Sequence, residues 1–92
     1  MSGVTGRVAL VTGAGAPGGI GFAIAKALVA GGARVCVTAT TDRIHARASE
    51  LGAMSQIADL TDPAQVAALF AAVEAALGPV EILVNNAGMV QT

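Results

Sequence analysis

Residues 8–21 read Val8-Ala9-Leu10-Val11-Thr12-Gly13-Ala14-Gly15-Ala16-Pro17-Gly18-Gly19-Ile20-Gly21. An unbroken apolar run, Val8 to Val11, leads through Thr12 into a glycine-rich loop, and an apolar helical pattern starts at Ile20. Continuous runs of this kind, without polar alternation, suit strands buried on both faces, as in parallel sheets. A buried strand that feeds a flexible loop and then a helix N-terminus is how parallel α/β domains hold a pyrophosphate. The glycines allow a close backbone approach, and the helix start presents free N–H groups and the positive end of the helix dipole.

Outward from this stretch the pattern repeats. The spacing predicts a first strand over Arg7–Thr12 and a helix from Gly19 or Ile20 to Ala30, with Ile20, Ala23, Ile24, Ala27 and Leu28 inward. Gly31 and Gly32 end that helix. A second strand is expected over Arg34–Thr38, then a helix capped by Thr40 or Thr41 and running to Leu51, with Ile44, Ala48 and Leu51 inward. A third strand is read over Met54–Ala58. Asp62 and Pro63 mark the start of a third helix, with Gln65 at its third position and an inward stripe of Val66, Leu69, Phe70, Val73 and Leu77. Gly78-Pro79 closes it, and a fourth strand is expected over Val80–Asn85. The order β-α-β-α-β-α-β, with short loops and right-handed crossovers, defines an α/β fold: a doubly wound parallel sheet in three αβα layers. No helix follows the fourth strand, the pattern of one half of such a sheet.

Composition narrows the function. Of 92 residues, 54% are apolar and 12% charged, with net charge −1. The chain therefore has a core to bury, and no electrostatic footprint for nucleic acid or an anionic membrane. The apolar stretch Ile20–Ala30 is too short to span a bilayer and carries Lys26. With no signal peptide pattern at Met1–Thr5, a cytoplasmic location is expected. Cys36, the sole cysteine, excludes an internal disulfide and a cysteine-based metal site, and between Val35 and Val37 it reads as a buried hydrophobe. His45 has no ligand partners nearby and reads as an exposed helix residue, so no metal is expected.

Gly13-Ala14-Gly15-Ala16-Pro17-Gly18 satisfies GxGxxG between a strand and a helix, the context that a dinucleotide site demands. A phosphate-loop NTPase is excluded, because Gly19-Ile20 stands where Lys-Ser or Lys-Thr is required. Thr12-Gly13 followed by Gly19-Ile20-Gly21 resembles the TGxxxGIG segment of the short-chain dehydrogenase/reductase family, with two extra residues between Gly13 and Gly19. Asn85-Asn86-Ala87-Gly88 resembles that family's NNAG motif, and Asp59-Leu60 the position that holds adenine. The resemblance implies a Rossmann-type sheet that binds a nicotinamide cofactor through Gly13, Gly19, Ile20, Gly21, Thr40, Asp59, Leu60, Asn86, Ala87 and Gly88. Thr38-Ala39-Thr40 and the segment Val80–Gly88 look most like carrier-protein-linked β-ketoacyl reductases, which implies a ketone/alcohol substrate and a homo-oligomer, dimer or tetramer.

At the end of the second strand an acid would accept from both ribose hydroxyls and select NAD. Ala39 stands there, followed by Thr40, Thr41 and Arg43, which suit a 2′-phosphate. NADP is therefore favoured over NAD, although Asp42 and the lack of a basic residue in the glycine loop point the other way. In the family a Ser, a Tyr and a Lys beyond the NNAG segment carry the chemistry. This chain has no tyrosine, so no catalytic residue is assigned in it. Two classes remain: the cofactor-binding half of a carbonyl reductase, or a stand-alone nucleotide-binding or interaction module without catalysis.

Overall fold

In a computed structural model, which describes residues 2–16 and 18–86, the strand β1 (Val8–Thr12) is the centre of the sheet, and all five of its residues are buried. A short 3-10 turn at Ser2–Val4 precedes it; α1 (Ile20–Ala30), β2 (Arg34–Ala39), α2 (Arg43–Leu51), β3 (Met54–Ile57), α3 (Pro63–Ala76) and β4 (Ile82–Val84) follow. The strands are parallel in the order β3-β2-β1-β4. Val8–Thr12 is in register with Arg34–Thr38 on one side, and Ala9–Val11 with Ile82–Val84 on the other.

The pleat divides the core. Ala9, Val11, Val35 and Val37 pack with Ala25 and Leu28 of α1 and Ile44 and Ala48 of α2. Val8, Leu10 and Cys36 face the other way, onto Leu69 and Val73 of α3. Because β1 and β2 are covered on both sides, neither has a polar face, which accounts for their unbroken apolar runs. Burial pushes the Cys36 thiol up to about 11. At neutral pH it is a protonated, inert packing group, as its flanking valines indicate. Among the described residues β4 is an edge strand, with Leu83 55% exposed.

The helix ends follow local chemistry. Asp62 caps α3, its carboxylate accepting from the Ala64 N–H at 3.0 Å, with Pro63 in the first turn. Gly52 closes α2 with φ 70°, a left-handed conformation that glycine adopts without strain. His45 is exposed on α2, with Nδ1 2.7 Å from Ser55 Oγ.

Three expectations are corrected. First, the buried stripe of α1 is Gly21, Ala25 and Leu28; Ala23 and Ala27 are exposed, and Ile20 is 62% exposed. The helix turns its glycine to the sheet because residue 21 is where the backbones come nearest, and the i+4 and i+7 positions follow it inward. Secondly, neither Thr40 nor Thr41 caps α2 through its side chain. The helix is entered by a turn in which the Thr41 carbonyl accepts from the Ile44 N–H and Asp42 stands at the cap without a side-chain bond. Thirdly, strand limits move: β2 runs on to Ala39, β3 stops at Ile57 and β4 is confined to Ile82–Val84.

A Cβ built on Gly21 would lie 2.7 Å from the Gly13 carbonyl oxygen and 2.8 Å from Asn86 Nδ2. Replacing a helical glycine by alanine ordinarily gains about 1 kcal/mol. Overpacking against a backbone carbonyl costs about 1–3 kcal/mol, and here it should win. Gly21→Ala is expected to lower stability in urea unfolding by up to about 2 kcal/mol. Gly18→Ala, where a Cβ would meet nothing within 4 Å, should stay within about 0.5 kcal/mol of wild type.

Candidate functional site

The C-terminal ends of β1 and β4 are joined by a small polar network. The Asn86 N–H donates to Thr12 Oγ1 at 2.9 Å, and the Asn86 side-chain amide donates to the Gly13 carbonyl at 3.0 Å. Thr12 Oγ1 also lies 3.2 Å from the Val84 carbonyl and 3.3 Å from Asn85 Oδ1. Both asparagines are thus engaged with the protein, and Asn86 in particular fixes the start of the glycine loop. Gly13 turns the chain out of β1 with φ 69°. The next residue returns to β2, its Ala14 N–H donating to the Thr38 carbonyl at 3.3 Å.

The loop then runs against the end of β2: a Cβ on Gly15 would stand 3.2 Å from Ala39 Cβ. Between loop and sheet lies an open groove of about 430 Å³. Gly13, Gly15 and Asn86 form one wall, Thr40, Thr41 and Arg43 a polar end, and Ala39, Ala58 and Leu60 an apolar surface. It lies beyond the C-terminal edge of a parallel sheet, beside the point where the strand order turns from β1–β2–β3 back to β4. Open α/β sheets bind their ligands at such a switch point. Gly19, the N-cap of α1, supplies no side-chain hydrogen bond to the first-turn amides, and helix N-termini favour anions.

Of the residues read from the sequence, Gly13, Thr40, Leu60 and Asn86 line this groove. Gly19 and Ile20 stand at the start of α1, and Gly21 is the packing contact described above. A Cβ on Gly19 would come no closer than 3.4 Å to Ala16, so the steric demand falls on Gly21. Ala87 and Gly88 lie outside the described residues. Thr38 and Ala58 also line the groove; Thr38 belongs to the Thr38-Ala39-Thr40 segment of the resemblance without being assigned to the site, and for Ala58 the available signal is its place at the C-terminal end of a strand.

Asp59 is exposed and does not line the groove. Its Oδ1 accepts from Thr61 Oγ1 at 2.6 Å and from the Thr61 N–H at 2.9 Å, while its own N–H donates to Gln65 Oε1 at 2.8 Å. The Thr61 hydroxyl, followed by the Thr61 N–H, holds the Asp59 carboxyl below its ordinary 3.8.

A four-stranded parallel sheet flanked by helices, with a glycine loop at its switch point, defines the class as a Rossmann-like α/β fold. Residues 7–92 match the family model for short chain dehydrogenase, and the chain belongs to that family. It is 46% identical over 87 residues to 3-oxoacyl-(acyl-carrier-protein) reductase FabG of Salmonella typhimurium, covering 91% of this chain and 35% of that protein. It is 47% identical over 89 residues to nodulation protein G of a Rhizobium species, covering 94% and 36%. Among solved structures, a short chain dehydrogenase from Mycobacterium smegmatis superposes with a TM-score of 0.87 at 28% identity, covering 94% of this chain and 38% of that one. The chain thus spans about a third of the length of the curated relatives it matches. Among the described residues no helix is long and apolar enough to cross a membrane, and no cluster suits a metal ion.

The Asp59 pairing has a pH signature. A depressed carboxyl contributes stability above its unfolded value and loses it as pH falls through the folded one; here the window lies below 3.8. Thr61→Val, which removes the larger of the two Thr61 bonds, is expected to raise the Asp59 midpoint towards 3.8. Carboxyl-carbon NMR titration reads this, and an unchanged midpoint would refute the assigned cause.

Proposed function

We propose that this chain is the cofactor-binding part of an NAD(P)H-dependent short-chain oxidoreductase that reduces a ketone to an alcohol. The substrate class in this reading is a 3-oxoacyl group on a carrier protein, and the cofactor is NADP. The observation that carries the reading is the groove itself, with a glycine wall, a hydroxyl-and-guanidinium end and an apolar surface at the switch point of a parallel sheet.

Several features of the groove support the dinucleotide reading. Gly13 and Gly15 line the groove without side chains, which suits a pyrophosphate, whose charge the start of α1 favours. Ala39 leaves the position beside Gly15 free of the carboxylate that would repel a 2′-phosphate. Thr40 and Thr41 offer hydroxyls, and Arg43 offers a guanidinium that suits a phosphate's planar array of acceptors. Ala58 and Leu60 present apolar surface to a purine. When bound, the nicotinamide supplies the hydride; this chain's residues hold and orient the dinucleotide and keep water from its adenosine end. The proton donor and substrate pocket fall to residues outside this chain, which has no tyrosine. The 3-oxoacyl assignment rests on similarity to a relative whose name states that substrate.

Fluorescence titration with NADPH and NADH tests the reading. Wild type is expected to bind NADPH more tightly. Ala39→Asp places a carboxylate against the 2′-phosphate and should weaken NADPH about tenfold or more, a change of at least about 1.4 kcal/mol, while sparing or improving NADH. Tighter NADH binding by wild type would refute the NADP assignment.

A further inference from the structure

Between the end of β3 and the start of α3 the chain reads Ala58-Asp59-Leu60-Thr61-Asp62. Ala58 and Leu60 line the groove, whereas Asp59 between them is exposed and does not. The hydrogen bonds of this turn account for the difference. Asp59 Oδ1 accepts from Thr61 Oγ1 at 2.6 Å and from the Thr61 N–H at 2.9 Å. The Asp59 N–H donates to Gln65 Oε1 at 2.8 Å, and the Asp59 carbonyl accepts from the Asp62 N–H at 3.1 Å. Gln65 Nε2 donates in turn to Asp62 Oδ2 at 3.2 Å, and the other Asp62 oxygen caps α3.

The residues on either side of Leu60 are therefore tied down, Asp59 by its N–H, carbonyl and carboxylate and Thr61 by its N–H and hydroxyl. One residue further back, the Ala58 N–H is held by the Ala39 carbonyl at 3.1 Å. Leu60 itself is half-buried, resting on the core beneath α3 and presenting the rest of its surface to the groove. A leucine acts on a ligand only by contact, and contact is short-ranged: a gap of about 0.5–1 Å forfeits about a quarter to a half of it. What Leu60 offers a flat base thus depends on how firmly the turn places it.

Resting on the dinucleotide reading above, we propose that Asp59 is a positioning residue: with Thr61 and Gln65 it clasps the turn that presents Leu60 to the adenine, and it does not itself pair with the exocyclic amine. The contact belongs to Leu60 and its placement to Asp59. Thr61 and Gln65, which do not line the groove, thereby influence affinity for the base.

The test is calorimetric titration with 2′,5′-ADP, which carries the adenine and the 2′-phosphate without nicotinamide, and with its inosine counterpart, in which an oxygen replaces the exocyclic amine. Thr61→Val is expected to bind both ligands about two- to fivefold more weakly, the net worth of one hydrogen bond, and Thr61→Ser, which keeps the hydroxyl, should restore wild-type affinity. Asp59→Ala should lose at least as much as Thr61→Val, again for both ligands. In a Leu60→Ala background Thr61→Val should cost nothing further, since residues that act through one contact are not additive. Unchanged affinity in Thr61→Val overturns the proposal. So does a loss in Asp59→Ala confined to the adenine ligand, which means that the carboxylate pairs with the amine, or an undiminished effect of Thr61→Val when Leu60 is already alanine. Each of these leaves the dinucleotide reading intact. Failure of wild type to bind 2′,5′-ADP overturns that reading and this proposal with it.

Discussion

Helix α1 approaches the ends of β1 and β4 only because residue 21 has no side chain. The Gly13 carbonyl oxygen and the Asn86 amide occupy the space a Cβ would take, at 2.7 and 2.8 Å. The same two groups are bonded to each other at 3.0 Å, and Asn86 is held in turn by the Thr12 hydroxyl. One close backbone approach therefore fixes three elements together: the strand that enters the loop, the helix that leaves it and the edge strand beside them. The direction of the glycine loop, and with it the wall of the groove, follows from that contact.

The groove separates two kinds of surface along the sheet edge. Thr40, Thr41 and Arg43 gather at the start of α2, where the chain turns without a side-chain cap and the hydroxyls remain uncommitted to the helix. Ala39, Ala58 and Leu60 give a surface of small and aliphatic groups, with Thr38 among them. In the proposed nucleotide site the cationic, hydroxyl-rich end would take a phosphate and the apolar end the base. Cys36, one strand position further in on the Thr38 side of the sheet, is buried and protonated and plays no part.

How much of this the sequence discloses depends on how local the cause is. The unbroken apolar runs of β1 and β2 give the parallel sheet directly, because burial on both faces is written into every residue. The α3 stripe is equally legible: Leu69 and Val73 are buried and Val66, Phe70 and Leu77 half-buried, as the period requires. The α1 stripe is misread because hydrophobicity favours Ile20, whereas the fold needs the smallest residue at the contact and turns Ile20 outward. That need is set by Asn86, distant in sequence, so no local pattern carries it. Thr40 and Thr41 look like caps by composition, yet a turn through Asp42 opens α2 and leaves them to the groove. The Thr38-Ala39-Thr40 segment marks a resemblance but not the burial of Thr38, which is a property of its surroundings.

The central claim is that the space between the glycine loop and the ends of β2 and β3 is the nucleotide site. Amide NMR shifts of the isotope-labelled chain, followed while NADP is added, test it residue by residue. The account predicts saturable shifts at Gly13, Gly15, Thr40, Thr41, Leu60 and Asn86, with His45 and Glu74 unmoved. Shifts confined to residues outside the groove, or none at saturating NADP, would contradict it.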